Sequence, residues 1–198
     1  MSFLRTGFVR AALLLLGVVA SVGALADWEL DGSRSTVQFM SVKNGSVTEL
    51  HYFQSISGSI TAGKADIILD LDSVETLVPI RNQRLREMLF ETAQFPAARL
   101  TADVPEAVNA LVPGQSMLVQ TNVMVSLHGA TLAYAAKLQV TRLLGEDLMV
   151  VLSEPLVVKA ADFGLDAGLT ALREVAGLKS INPNVPISGQ LMFSASTK

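Results

Sequence analysis

The sequence predicts an antiparallel all-β domain of roughly seven or eight strands with two short helical inserts. Polar and apolar residues alternate with a period of two through most of the chain after residue 26. Only two segments show helical spacing, and no repeating βα pattern indicates a parallel sheet. Glycine-containing turns separate consecutive strands, as in hairpins. This pattern suits a closed barrel and a two-sheet sandwich almost equally, although a barrel alone removes the exposed sheet edges.

The first 26 residues have the anatomy of a cleavable secretory signal. Arg5 and Arg10 precede an apolar run over residues 11–20, and the segment ends in Ala24-Leu25-Ala26. The apolar run is short for a membrane-spanning helix. A lipoprotein signal needs a cysteine, and the chain has none. We therefore expect cleavage after Ala26, export of the mature protein and no permanent membrane anchor.

Composition limits the classes of function for the remaining residues 27–198, which suit one domain with a real core. The whole chain has 15 basic and 18 acidic residues, and cleavage would remove two arginines and no acid. This mild acidity disfavours a nucleic-acid partner, because such binding needs clustered Lys and Arg. Hydrophobic residues make up 50% of the chain. The excess fits either an ordinary core or a core with an added apolar surface that faces a non-protein molecule.

The first strands are predicted from alternation between residues 36 and 72. Thr36–Lys43 and a weaker candidate, Ser46–Phe53, are separated by Asn44-Gly45, which is typical of a tight turn. In the next strand Ile67, Leu69 and Leu71 share one face, and three aspartates occupy the other. Aspartates spaced in this way are typical of a solvated strand face, whereas calcium sites gather six to eight oxygens in loops.

The longest alternation predicts a hairpin in the second half of the chain. One strand runs from Met117 to His128, Gly129-Ala130 breaks the pattern, and a second strand runs from Leu132 to Arg142. The remaining strand candidates are Ala97–Val104, Asp147–Lys159 and Pro186–Ser194.

Two segments have helical spacing instead. In residues 80–90 the apolar residues lie three and four positions apart, and Pro79 occupies the first turn, where its missing N–H costs nothing. Arg81, Arg84 and Arg86 then point in different directions, which favours a solvated, partly ion-paired helix surface over an anion site. Leu169–Leu178 predicts a second short helix.

Catalytic and metal-binding patterns are sparse. The chain has no Cys and only two His, His51 and His128, without a diagnostic zinc spacing. Ser126 and His128 lie on one strand face, but no nucleophile motif accompanies them, and a histidine at a hairpin end explains the pair better. We expect no enzyme activity, no catalytic residue and no metal.

A series of short motifs in this order resembles the YceI-like family, exported bacterial proteins with a lipocalin-like barrel that are known as polyisoprenoid-binding proteins. Singly the motifs are weak, and it is their order along nearly the whole chain after the leader that carries the resemblance. The matching segments are Trp28-Glu29-Leu30-Asp31, Ser35-Thr36-Val37-Gln38-Phe39, Ser57-Gly58-Ser59-Ile60, Leu71-Asp72-Ser73-Val74-Glu75-Thr76, Arg81-Asn82-Gln83-Arg84-Leu85-Arg86, Leu89-Phe90, Phe95-Pro96-Ala97-Ala98, Ser126-Leu127-His128-Gly129-Ala130-Thr131 and Val185-Pro186-Ile187.

The resemblance implies an eight-stranded antiparallel lipocalin-like barrel whose lumen binds an isoprenoid or other lipid-like amphiphile, as a carrier or scavenger. It implies no cofactor other than a bound isoprenoid or quinone-like lipid, and relatives suggest a homodimer that the residues do not require. Alternation selects Phe39, Met124, Leu127, Tyr134 and Phe163 as lumen residues, and core packing would explain each equally well. The alternative is a structural or interaction barrel filled by its own side chains.

Overall fold

Twelve strand segments combine into a closed antiparallel barrel in the computed structural model, which describes residues 27–196. The predicted leader lies outside the described residues. The strands are β1 (Trp28–Leu30), β2 (Thr36–Lys43), β3 (Val47–Phe53), β4 (Ile56–Thr61), β5 (Lys64–Asp70), β6 (Val74–Glu75), β7 (Ala97–Asp103), β8 (Ser116–Leu127), β9 (Ala130–Arg142), β10 (Leu148–Leu152), β11 (Leu156–Lys159) and β12 (Asn184–Ala195).

Eight strand positions, which we call staves, close the barrel. Their order is β1-β4-β5-β7-β8-β9-β10-β12 and back to β1. The closing pair joins Trp28 to Ala195 and Leu30 to Phe193. The other four strands lengthen these staves, since β2 pairs with β12 and β3, β3 pairs with β6, and β11 pairs with β12. Closure decides between the two architectures that alternation left open and confirms the barrel.

Two helices lie at one end of the barrel. Helix α1 (Pro79–Arg84) continues as a π-helical segment, Leu85–Phe90, and helix α2 is Asp166–Val175. The two connect β6 to β7 and β11 to β12. Because successive staves alternate in direction, both connections fall at the same end, which we call the helical end.

The predicted dry strand faces are the inward faces of the barrel. Ile67, Leu69 and Leu71 are all buried, although Leu71 lies in a 3₁₀ turn that follows β5. The β8–β9 hairpin also forms as predicted and pairs continuously from Ser116–Thr141 to Leu127–Ala130. Its two turn residues, His128 and Gly129, have positive φ angles of 49° and 80°, as a tight hairpin turn requires.

Strand β4 and the bounds of α2 differ from the sequence prediction. The β4 alternation is hidden because its inward face consists of Ile56, Gly58 and Ile60, and the glycine interrupts the apolar pattern. A Cβ at Gly58 would lie 2.3 Å from the Asp66 carbonyl oxygen of the neighbouring strand. Helix α2 starts three residues earlier than predicted and ends before Gly177, whose φ of 63° is left-handed.

Among residues 27–196, the structure contains no helix with the length and apolar character needed to cross a bilayer.

Candidate functional site

The barrel encloses a cavity of about 250 Å³. Inward-facing side chains from every stave line it, and almost all of them are apolar. An apolar protein cavity of about 150 Å³ is already large enough to bind benzene. Strand residues that border the cavity include Val37, Phe39, Phe53, Ile67, Leu100, Val119, Val123, Val125, Leu127, Leu138, Val150, Leu156, Val185, Ile187 and Leu191.

The structure separates the five residues selected as lumen residues. Phe39 and Leu127 border the cavity. Tyr134 and Phe163 do not border it, and their rings stack on each other with centroids 6.3 Å apart. Burial and the nearby Asp162 carboxylate raise the pKa of Tyr134. Contact of these four side chains with a ligand stays a prediction.

The prediction that Met124 lies in the lumen was wrong. Met124 lies outside the lumen, with 39% of its surface exposed. Its neighbours Val123 and Val125 border the cavity. Successive side chains of a strand point to opposite faces, so Met124 and Leu127, three positions apart, cannot both face inward.

The helices supply lining residues that sequence reasoning missed. Leu89 and Phe90 from the π-helical segment and Leu169 from α2 border the cavity at the helical end. Helical spacing identified the apolar faces of these segments, but it does not show what those faces cover. Helix α2 and the π-helical segment approach each other closely, since a Cβ at Gly168 would lie only 2.4 Å from the Met88 carbonyl oxygen.

The cavity also reaches the edge of strand β7. All five consecutive residues Thr101–Pro105 border it, whereas a wall strand normally presents only alternate residues. Strand β7 pairs with β8 only along Arg99–Thr101. Beyond that point the Thr121 hydroxyl donates to the Asp103 carbonyl oxygen at 3.4 Å. The lumen therefore extends along β7 beyond Thr101, the last β7 residue that pairs with β8.

A polar cluster occupies the inward face of β2 and β3 beneath α1. We call Ser41, Lys43, Glu49, His51 and Arg81 the β2–β3 cluster. Lys43 Nζ and Arg81 Nη1 both bind Glu49 Oε2 at 2.6 Å, and Arg81 Nη2 donates to the Thr76 carbonyl oxygen at 2.7 Å. Burial opposes ionisation of Glu49, but the hydrogen bond from Lys43 and the charge on Arg81 hold its pKa below the ordinary value.

His51 is the most buried member of this cluster, with 3% of its surface exposed. Its Nε2 lies 2.9 Å from the Ser41 hydroxyl, and its ring packs against Phe39, with centroids 5.2 Å apart. Burial, followed by the positive charge of Arg81, lowers the pKa of His51 from 6.5 to about 4. The imidazole is therefore neutral at pH 7. The ion pairing predicted for this helix surface is present at Arg81, whose side chain pairs with Glu49 and is 25% exposed.

The remaining candidate for catalysis does not form a nucleophile and base. The Ser126 hydroxyl pairs with the Thr131 hydroxyl at 2.8 Å, whereas His128 Nδ1 lies 3.2 Å from the Phe163 carbonyl oxygen. Within residues 27–196, no three His, Cys, Asp or Glu side chains are grouped so that they could hold a metal ion.

Comparisons with known proteins agree with this geometry. The family model described as YceI-like domain matches residues 28–193. A solved polyisoprenoid-binding domain from Saccharophagus degradans, described as implicated in plant cell wall breakdown, is 38% identical, with a TM-score of 0.84 over 87% of this chain and 100% of that chain. A search of curated protein sequences finds no match.

More distant solved structures share the fold alone. BcnA from Burkholderia cenocepacia is 15% identical, with a TM-score of 0.65 over 82% of this chain and 98% of that chain. A Campylobacter jejuni YCEI protein is 12% identical, with a TM-score of 0.51 over 75% of this chain and 85% of that chain.

Proposed function

Because the chain belongs to the family of YceI-like domains, we propose that it binds one isoprenoid or similar lipid-like amphiphile in its lumen and acts as a carrier or scavenger. The apolar cavity of about 250 Å³ is the observation that carries this proposal. The 38% identical Saccharophagus degradans domain, named for polyisoprenoid binding, supports the class of ligand. The proposed role is shelter of an apolar chain from water, without catalysis.

The energetics favour a chain-like ligand. Each CH₂ group that leaves water for an apolar lining contributes about 0.8 kcal/mol. Two or three isoprene units would therefore offset the cost of association and leave a useful affinity. A longer chain would extend along the edge of β7, where Thr101–Pro105 border the lumen.

The alternative role is a barrel that is filled by its own side chains and acts through its surface. The cavity disfavours this role, since a filled core packs at crystal-like density with few voids larger than a water molecule.

Native mass spectrometry and organic extraction of protein purified from its own host test the proposal. We expect an apolar species that co-purifies with the protein and is released by the solvent. A ligand-free protein that also fails to take up an added isoprenoid would contradict the carrier role. The same spectrum counts the copies of the chain in each particle and so tests the proposed homodimer.

We also propose that residues 1–26 are a secretory leader and that the protein acts in the periplasm. The basic start, the apolar run and Ala24-Leu25-Ala26 support this proposal. The intact mass of the protein from a periplasmic extract should correspond to a chain that begins at Asp27. A mass that retains Met1 would contradict it.

A further inference from the structure

Four consecutive apolar residues are exposed at the helical end, where the chain enters α1. They are Leu77, Val78, Pro79 and Ile80, and we call them the apolar tip. Leu77 has 77% of its surface exposed, and Ile80 has 52%. A soluble domain avoids runs of exposed apolar residues unless they have a function. The apolar tip therefore requires an explanation that the lumen does not provide.

The backbone of the apolar tip is held in an unusual conformation. Leu77 has a φ angle of 60°, which a residue with a side chain rarely adopts. Its N–H donates to the Glu75 carboxylate. The preceding residue is fixed by the Asn82 side-chain oxygen, which accepts from the Thr76 N–H at 2.9 Å and from the Thr76 hydroxyl at 2.5 Å. The protein therefore holds a leucine outward at a position where glycine or asparagine would fit at lower cost.

Several polar groups of this segment bond within the protein. The Thr76 carbonyl oxygen accepts from Arg81 Nη2 at 2.7 Å. The Val78 carbonyl oxygen accepts from the N–H groups of Arg81 and Asn82, at 2.9 and 3.0 Å. Pro79 has no N–H to donate. A segment that enters a bilayer must satisfy its backbone polar groups internally, and these bonds do so for the groups they join.

The size of the apolar tip favours a bilayer over a protein partner. A standard protein interface buries about 800 Å² on each side. Even an aromatic side chain buries only about 150–250 Å², so a few aliphatic side chains that are already partly covered supply too little area. Binding to a bilayer has no such minimum, because its strength scales with the buried apolar area and adds to the attraction between basic side chains and anionic lipids.

A basic side chain lies beside the apolar tip. Arg84 follows Ile80 by four residues, so both lie on one face of α1. Within residues 27–196 Arg84 forms no ion pair, whereas Arg81 pairs with Glu49. An arginine next to an inserted apolar side chain can reach the lipid phosphate groups with its guanidinium. The charge at the tip therefore complements a phospholipid surface.

The element that carries the apolar tip also reaches the lumen. Leu89 and Phe90, at the other end of the π-helical segment, border the cavity. We propose that the apolar tip and Arg84 dock the protein reversibly on a phospholipid bilayer, with Leu77 and Ile80 inserted at the interface. The helical end of the barrel then faces the membrane. This inference goes beyond the proposed function, because docking does not depend on what the lumen binds.

Vesicle binding tests the docking surface. Protein purified from its own host is titrated with vesicles of phosphatidylcholine and with vesicles in which half of that lipid is replaced by phosphatidylglycerol. The variants are Leu77→Asn, Ile80→Gln and Arg84→Gln. Leu144→Asn is the control, because Leu144 is 85% exposed but lies at the opposite end of the barrel. Every variant has the same N-terminus as the wild type, so a difference between them reports on the substituted residue.

We expect the wild type and Leu144→Asn to bind both kinds of vesicle and to prefer those with phosphatidylglycerol. Leu77→Asn and Ile80→Gln should weaken binding to both kinds about tenfold. Arg84→Gln should remove most of the preference and leave binding to phosphatidylcholine unchanged. Leu77→Asn should unfold at the same temperature as the wild type or a higher one, because asparagine adopts a left-handed φ more readily than leucine. Its loss of binding is then not a loss of fold.

The outcomes that contradict docking can be told apart. Equal binding by the wild type and Leu77→Asn would overturn the apolar tip as a docking surface, and an unchanged preference in Arg84→Gln would overturn the role of Arg84. A wild type that ignores vesicles but forms a dimer that Leu77→Asn abolishes would show that a second copy covers the tip. Absence of vesicle binding in a protein that still carries an apolar species would overturn docking alone. Vesicle binding by a protein that takes up no isoprenoid would overturn the proposed function alone.

Fluorescence quenching gives a second readout, which measures insertion instead of affinity. The variants Leu77→Trp and Leu144→Trp are mixed with vesicles that contain brominated phosphatidylcholine, which quenches tryptophan that reaches the acyl chains. We expect quenching in Leu77→Trp and none in Leu144→Trp. The buried Trp28 is common to both proteins. Equal fluorescence changes in the two variants would overturn insertion of the apolar tip.

Discussion

The guanidinium carbon of Arg142 lies 5.5 Å from the centre of the Trp28 ring, and this pair covers the end of the barrel opposite the helices. Trp28 is almost completely buried, and its Nε1 donates to the Glu146 carbonyl oxygen at 3.3 Å. Arg142 Nη2 lies 3.3 Å from the Glu146 carboxylate, while its Nε and Nη1 are buried without partners. The cation therefore depends on the face of the Trp28 ring for part of its stabilisation.

A double-mutant cycle with Trp28→Leu and Arg142→Met measures this dependence. Trp28→Leu should lower the free energy of unfolding by about 3 kcal/mol, because it removes buried ring surface and leaves Arg142 less compensated. The interaction energy between the two sites should be about 1 kcal/mol in urea titrations at pH 7. Strictly additive effects would show that the two residues do not stabilise each other.

Filling the lumen should abolish ligand binding without loss of the fold. In Val123→Trp the added side chain enters the cavity that Val123 borders, and the affinity for an isoprenoid probe should fall at least about tenfold. Met124→Trp is the matched control, since it adds a similar bulk on the outer face of the same strand. Fluorescence titration with one probe compares the two variants, and equal losses of affinity would argue against binding in the lumen.

Gly168→Ala should destabilise the protein, although alanine normally favours a helix by about 1 kcal/mol. The added Cβ would lie 2.4 Å from the Met88 carbonyl oxygen and 2.9 Å from the Leu89 Cα, so α2 must move away from the π-helical segment. We expect a loss of about 1–3 kcal/mol in urea unfolding. Thr170→Ala, at an exposed position of the same helix, is the control and should be neutral or slightly stabilising. A stabilised Gly168→Ala variant would contradict the close contact.

Stability should fall between about pH 6.5 and pH 4 because of His51, whose pKa is lowered in the folded state from 6.5 to about 4. In the unfolded chain the His51 imidazole takes up a proton as the pH falls through 6.5. In the folded protein the same imidazole stays neutral until about pH 4. The free energy of unfolding therefore decreases across this window, with a slope of at most about 1.4 kcal/mol per pH unit from this residue. Above about pH 6.5 the contribution of His51 to the free energy of unfolding is present in full.

Urea unfolding of the wild type and His51→Phe at pH 7.5, 6 and 5 isolates that contribution, because the other titrating groups are common to both proteins. The variant should lose less stability than the wild type between pH 7.5 and pH 5. Parallel curves for the two proteins would mean that His51 titrates normally in the folded state.

Much of the fold was predictable from the sequence, because strand faces are a local property. The alternation that contains Ile67 and Leu69 predicts a strand with one dry face, and the structure confirms that both residues point inward. The β8–β9 hairpin was predictable for the same reason, since its turn joins neighbouring segments. Strand β4 was missed because Gly58 gives no apolar signal at an inward position.

The candidate site was predictable only in part. Phe39 and Leu127 border the cavity, whereas Met124 was expected in the lumen although its own alternation with Val123 and Val125 places it on the opposite face. The helix residues that border the cavity and the ion pair of Arg81 with Glu49 on β3 were not predictable, because they depend on how the helices dock on the barrel.

The sequence by itself determined the all-β class, the strand faces and the resemblance to the YceI-like family. Only the tertiary structure decided that the sheet closes through Trp28 and Ala195, which face encloses the cavity, and that Arg81 of α1 pairs with Glu49 on β3. The physical reason is the separation in sequence over which each effect acts. Alternation and turns act between neighbours in the chain, whereas closure and burial join residues that are far apart in sequence and are set by the packing of the whole barrel.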